Sequence, residues 1–194
     1  MELNFKIKDK LMKNLAQREA NLSIFKKKGF PNRREEEWKF TDLEKILSDN
    51  FKELSNEKLE KNVPNFQNLS FDHNSIKLVN GKLDSFDFKL ENFKNKNMIL
   101  IKEFDIDTHL NLVKNFSNNQ MQNLNTALQD GGFSLNINSE CKFKYPIVIY
   151  NYFSGNLKNK IINNSKYINI SKNSKATIIE YLIDESQGSF FKNT

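Results

Sequence analysis

The chain has 194 residues, 38% of them hydrophobic and 12% aromatic, with seventeen Phe, which is enough for one sizeable core or a small helical unit followed by a larger one. Its formal charge of +6 and pI of about 9.2 raise the question of nucleic acid, but the charge is evenly spread. Residues 1–62 and 63–194 each hold 15 Lys+Arg against 12 Asp+Glu, and the one undiluted basic run is Lys26–Lys28. A phosphate-binding face concentrates its cations, so no nucleic-acid partner is expected.

The first sixty residues read as helical. Asp9 caps a helix running to about Lys27, with Leu11, Leu15, Leu22 and Phe25 near one face. Gly29 stands where a positive φ is wanted, Phe30 is placed to pack back onto Phe25, and Pro31 prevents the helix from resuming. Thr41 and Glu44 are spaced as a capping box for a second helix with Leu43, Ile46 and Leu47 on its apolar face. A weaker helical stretch covers Asn56–Lys61, and Val63–Asn74, with Pro64 and several Asn, reads as a linker. The division expected is therefore a helical domain over 1–62, a linker over 63–74 and a second domain over 75–194.

Beyond the linker the apolar period changes to alternation. Ile76 and Leu78 lead into Asn80-Gly81, the signature of a two-residue type I′ hairpin turn. Met98–Phe104 reads as a strand, followed by helical stretches at Asp107–Phe116 and Gln120–Leu128 that end at Asp130-Gly131-Gly132. Phe133, Leu135 and Ile137 alternate, and Ile147–Phe153, Tyr167–Ile170 and Ala176–Ile183 are further strands. Short strands at such spacing suit a sandwich, a barrel or a solenoid, and periodicity does not choose among them. The apolar pair Phe190-Phe191 begins a new element just before Thr194, so the sequence reads as truncated.

Few residues invite a chemical role. The single cysteine, Cys141, excludes an internal disulfide and any CxxC-type zinc or redox site. The opening MELNFKIKDK has no apolar core of a signal peptide, and no run is long enough to span a bilayer, so a cytoplasmic protein without a membrane partner is expected. His73 and His109, the only histidines, show no spacing to each other or to Cys141 that would hold a metal. Arg33, Arg34, Glu35, Glu36, Glu37 and Trp38 form a mixed-charge run, read as a solvated interhelical connection that leaves room for a partner. No phosphate-binding glycine loop, GxSxG or HExxH is present, and Asp130-Gly131-Gly132 reads as a turn. No catalytic, cofactor-binding or metal residue is assigned.

Three segments carry a family resemblance. Gly29-Phe-Pro-Asn-Arg-Arg-Glu-Glu-Glu-Trp-Lys-Phe-Thr-Asp-Leu43 resembles an element of the SufD family, within the wider SufB/SufD family of iron–sulfur cluster assembly scaffolds. Leu124-Asn-Thr-Ala-Leu-Gln-Asp-Gly-Gly-Phe133, leading to Tyr145-Pro-Ile147, is similar to a second element, and Ala176-Thr-Ile-Ile-Glu180 with Asn193-Thr194 to a third. Asn163-Asn-Ser-Lys166 departs from the pattern, where many relatives carry Arg. The SufB branch does not normally carry the Pro-x-Arg…Trp-Lys element.

The resemblance implies an α+β fold, with an N-terminal helical domain followed by the first rungs of a right-handed parallel β-helix. It also implies a non-catalytic scaffold subunit of a SufBCD-type complex, paired with a SufB-like subunit and, through a C-terminal region of the family, with a SufC-like ATPase. No cofactor is expected on this chain itself, the cluster being handled by the full complex. The rival readings are a stand-alone β-helix enzyme acting on polysaccharide, which needs an acidic groove, and a basic RNA-binding module.

Overall fold

The computed structural model describes residues 1–7, 14–56, 59, 69–91, 98–105 and 119–194. Asp9, Leu11, His109, the linker residues 63–68 and the helix expected at 107–116 lie outside these residues. So does the weaker helical stretch at 56–61, apart from Asn56 and Leu59.

Strand β1 (Glu2–Asn4) precedes helix α1 (Leu15–Lys28). Arg18, Asn21, Leu22 and Phe25 of α1 are buried, the i, i+3, i+4, i+7 spacing of one helix face. The stop falls where the sequence places it. Gly29 takes φ 74° and ψ −165°, a region essentially reserved for glycine, and its N–H donates to Phe25 O at 2.7 Å. Phe30 then meets Phe25 edge-on, with ring centroids 5.0 Å apart.

A single 3₁₀ turn at Glu36–Trp38 leads to α2 (Leu43–Asn50). The expected capping box shifts by one residue: the N-cap is Asp42, whose carboxylate accepts from Lys45 N at 2.9 Å. Thr41 instead closes the preceding turn, its N–H donating to Trp38 O. Leu47 is buried, whereas Ile46, expected on the same face, is half exposed.

The strands are β2 (Glu53–Ser55), β3 (Asn74–Val79), β4 (Lys82–Asp87), β5 (Ile99–Glu103), β6 (Gly132–Ile137), β7 (Ile147–Asn156), β8 (Lys160–Asn163), β9 (Ser165–Ile170), β10 (Ile178–Gln187) and β11 (Phe190–Asn193). Helix α3 (Gln120–Leu128) lies between β5 and β6, capped by Asn119. A four-stranded sheet runs β1-β2-β8-β11, all parallel. A seven-stranded sheet runs β10-β7-β3-β4-β6-β5, with β9 also on β6.

This architecture corrects the fold expected from the resemblance. The larger sheet is mixed rather than all parallel: β3–β4 and β5–β6 are antiparallel, whereas β10–β7, β3–β7 and β6–β9 are parallel. The chain is therefore not a right-handed parallel β-helix. The Asn80-Gly81 turn, with φ 49° and 82°, supplies one physical reason, because a two-residue type I′ turn reverses the chain and fixes Val79 opposite Lys82. Nor is there a long helical N-terminal domain. Residues 1–62 contribute two strands as well as α1 and α2, and the described residues hold three α-helices altogether.

Two principal cores follow. Phe5, Leu22, Phe25, Phe30, Leu47, Leu54, Leu124, Leu128 and Ile161 join the helices to the smaller sheet. Ile76, Leu78, Phe133, Leu135, Ile137, Cys141, Ile147 and Ile149 fill one face of the larger sheet. Strand β7 is buried on both faces, its alternate residues Val148, Tyr150 and Tyr152 forming a further cluster with Val79.

Candidate functional site

The side chains with chemical potential fall into four places. The first is a charged cluster on β9, β10 and β11. Glu180 Oε1 accepts from Lys166 Nζ and from Asn151 Nδ2 at 3.0 Å, and Lys192 Nζ lies 3.7 Å away. Strand register puts Lys166 beside Phe133, Glu180 beside Ile149 and Lys192 beside Ile162, all buried positions of the neighbouring strands. Burial therefore pushes the Lys166 ammonium below its ordinary range; its bond to Glu180 opposes this, and the like charge of Lys192 adds to it. Burial pushes the Glu180 carboxyl up, but the Lys166 bond, both ammonium charges and Asn151 outweigh it and hold the group below the usual carboxylate range.

The second is Cys141. Its side chain is fully buried in the core of the larger sheet, and its backbone N–H donates to Ser174 Oγ at 3.1 Å. Burial, and after it the Glu91 carboxylate, push the thiol up. A thiol held protonated is a poor nucleophile and a poor iron or sulfur ligand.

The third is His73. Its Nδ1 lies 2.7 Å from Phe71 O and its Nε2 2.7 Å from the Tyr150 hydroxyl. A carbonyl only accepts, so Nδ1 carries the proton and Nε2 accepts from Tyr150. Tyr150 is itself buried and meets Tyr181 edge-on. Both ring nitrogens are thus occupied in tying residues 71–73 to β7. The adjacent groove is lined by Asp72 and Asp87 but equally by Lys77 and Lys89, so it is not the acidic groove that the polysaccharide-enzyme reading requires.

The fourth is the 33–40 connection. Glu35 accepts from Gln120 Nε2 at 2.8 Å, Lys39 bonds Glu36, and Trp38 is half-buried. Phe40 is 86% exposed. Arg33 and Arg34 are solvated, as the mixed-charge run implied. The Asp130-Gly131-Gly132 turn feeds β6, and Gly132 at φ 109° passes so close to Ser165 that no side chain fits.

No group of three or more His, Cys, Asp or Glu able to hold a metal occurs among the described residues. No described helix is long and apolar enough to cross a membrane. Sequence reasoning missed the Lys166–Glu180–Lys192 cluster, since nothing in the spacing of these residues signals that three strands bring them together.

A helix-flanked pair of β-sheets whose polar clusters tie strand to strand describes the class of protein. The family model of the SufBD protein N-terminal region matches residues 4–149, three-quarters of the chain. The chain therefore belongs to the SufB/SufD family of iron–sulfur cluster assembly proteins, through that N-terminal region. No curated protein matches it. The match takes in the Gly29–Leu43 element and the Leu124–Phe133 stretch, whereas the Ala176–Glu180 segment lies beyond it.

Proposed function

We propose that the chain acts as a SufD-type, non-catalytic scaffold subunit of a SufBCD-type complex in the cytoplasm. Family membership supports the cluster-assembly role, and the Pro31–Leu43 element with its Pro-x-Arg…Trp-Lys pattern favours SufD over SufB, a choice the family match leaves open. The observation that carries the scaffold reading is the state of Cys141. The one thiol of this sequence is buried and its pKa pushed up, which makes it a poor iron ligand, and in this reading the cluster, as cargo, is held elsewhere in the complex. The partners are a SufB-like subunit and a SufC-like ATPase, whose nucleotide cycle drives the assembly. Neither nucleic acid nor a membrane takes part.

The test is affinity purification of the tagged protein, co-expressed with SufB- and SufC-like partners, followed by iron and sulfide analysis. Association with a cluster retained in a Cys141→Ala variant supports the reading. Loss of the cluster in that variant, with the complex intact, contradicts the non-ligand role of this chain.

A further inference from the structure

Asn80-Gly81 is the only Asn-Gly dipeptide in the chain. In such a pair the Gly nitrogen, unhindered by a following side chain, can attack the Asn amide carbon. The new N–Cγ bond closes a five-membered imide, and Nδ2 leaves as ammonia with the proton of the Gly N–H. Water then opens the ring at either carbonyl, giving Asp or the β-linked isoaspartyl residue.

The fold holds Asn80 away from this path. Its Nδ2 donates to Ser154 O at 3.0 Å and its Oδ1 accepts from Ser154 N at 3.0 Å, so the amide is clamped onto the main chain of β7. Its own N–H donates to Tyr152 O at 2.8 Å, and the residue is 4% exposed. The hairpin fixes both turn residues at positive φ, and a Cβ on Gly81 would meet Ile162 Cγ2 at 2.8 Å. Rotation of the amide toward Gly81 N requires both Ser154 bonds to break, and ring opening requires water where the side chain is buried.

We propose that Asn80 is a covalent modification site guarded by the fold, deamidating through the Gly81 imide only when the hairpin opens. The product cannot close the clamp again. A carboxylate oxygen in place of Nδ2 faces the Ser154 carbonyl, acceptor against acceptor in a buried place. The isoaspartyl form also adds a backbone carbon to a two-residue turn, which spoils the Val79–Lys82 register. Each excursion that reaches the imide therefore leaves a permanent mark.

The test is peptide mass analysis of the full chain aged at neutral pH, folded in buffer or unfolded in urea. Asn173, exposed in the fold and followed by the half-buried Ser174, serves as the internal reference. Deamidation at Asn80 is expected to be at least about tenfold slower in the folded chain than in the unfolded one, because only the open population reacts. Asn80 should outpace Asn173 in urea and fall behind it in buffer. Equal rates at Asn80 in both states, or an unchanged rank order, overturn the proposal. In a second arm, Asn80→Asp should melt below the wild type at neutral pH. The difference should shrink as the pH falls, beginning above the free carboxyl value of about 4 because the buried site favours the protonated form, which donates to Ser154 O again. A variant as stable as wild type at neutral pH also overturns the idea; if it does not fold there, the first arm decides.

Discussion

Arg18 of α1 donates from Nη1 to Ala127 O at 3.1 Å, and to Thr126 O and Gln129 O beside it, with its side chain buried at the C-terminal end of α3. A cation here meets the negative end of the helix dipole and carbonyls that have no partner within the helix. One residue thus joins the N-terminal helix to the element that leads into the larger sheet. Arg18→Ala should cost about 2–4 kcal/mol in chemical denaturation, since it leaves buried carbonyls unpaired. Arg18→Lys should recover only part, because the shorter side chain does not carry its ammonium to the place Nη1 occupies among the three acceptors. A variant within experimental error of wild type would show that the contact is incidental.

Gly132 sits at φ 109°, and a Cβ there would lie 1.8 Å from Ser165 O. Strand β6 pairs with β9 from this residue onward, Gly132 opposite Ser165. Gly132→Ala should therefore lower stability by about 3 kcal/mol or more, from backbone strain and steric displacement together. Gly29→Ala, at a position with open space around its Cβ, should cost less, through its φ alone. Thermal melts of the two variants give the order.

The Glu180 cluster makes a pH prediction. The folded carboxyl is held below its ordinary value, so its contribution is present in full above the unfolded value of about 4.3 and is lost as the pH falls through the folded one. Glu180→Gln should be less stable than wild type at neutral pH and converge with it in acid. Because the carboxylate is partly solvated, the difference should be about 1 kcal/mol, with a share coming from the buried Lys166 ammonium left without its partner. A gap that persists unchanged at low pH contradicts the assignment.

Cys141 should resist iodoacetamide in the folded chain at neutral pH and react at once in denaturant, as its burial and raised pKa require. Rapid alkylation of the folded chain, read by intact mass, runs against the buried placement.

What could be read from the sequence was local. Gly29 before Phe30-Pro31 and Asn80-Gly81 each demand a particular backbone conformation, and both places turn where expected. Phe133, Leu135 and Ile137 alternate and are all fully buried. Thr41 and Asp42 are both competent caps, so the one-residue shift depended on which side chain met a free N–H. Strand direction was not legible, because alternation is the same in parallel and antiparallel sheets. Strands β1 and β2 span three residues each, too few to show a period, and they exist by pairing Glu2–Asn4 with Glu53–Ser55 across distant sequence. The Lys166–Glu180 contact likewise depends on how the sheets bring together strands β9 and β10.

The most direct test of the scaffold account is co-purification of the tagged protein with a SufB-like subunit at low and moderate salt. The account predicts a stable complex that survives moderate salt and size-exclusion chromatography. A chain that elutes alone under every salt condition would contradict it.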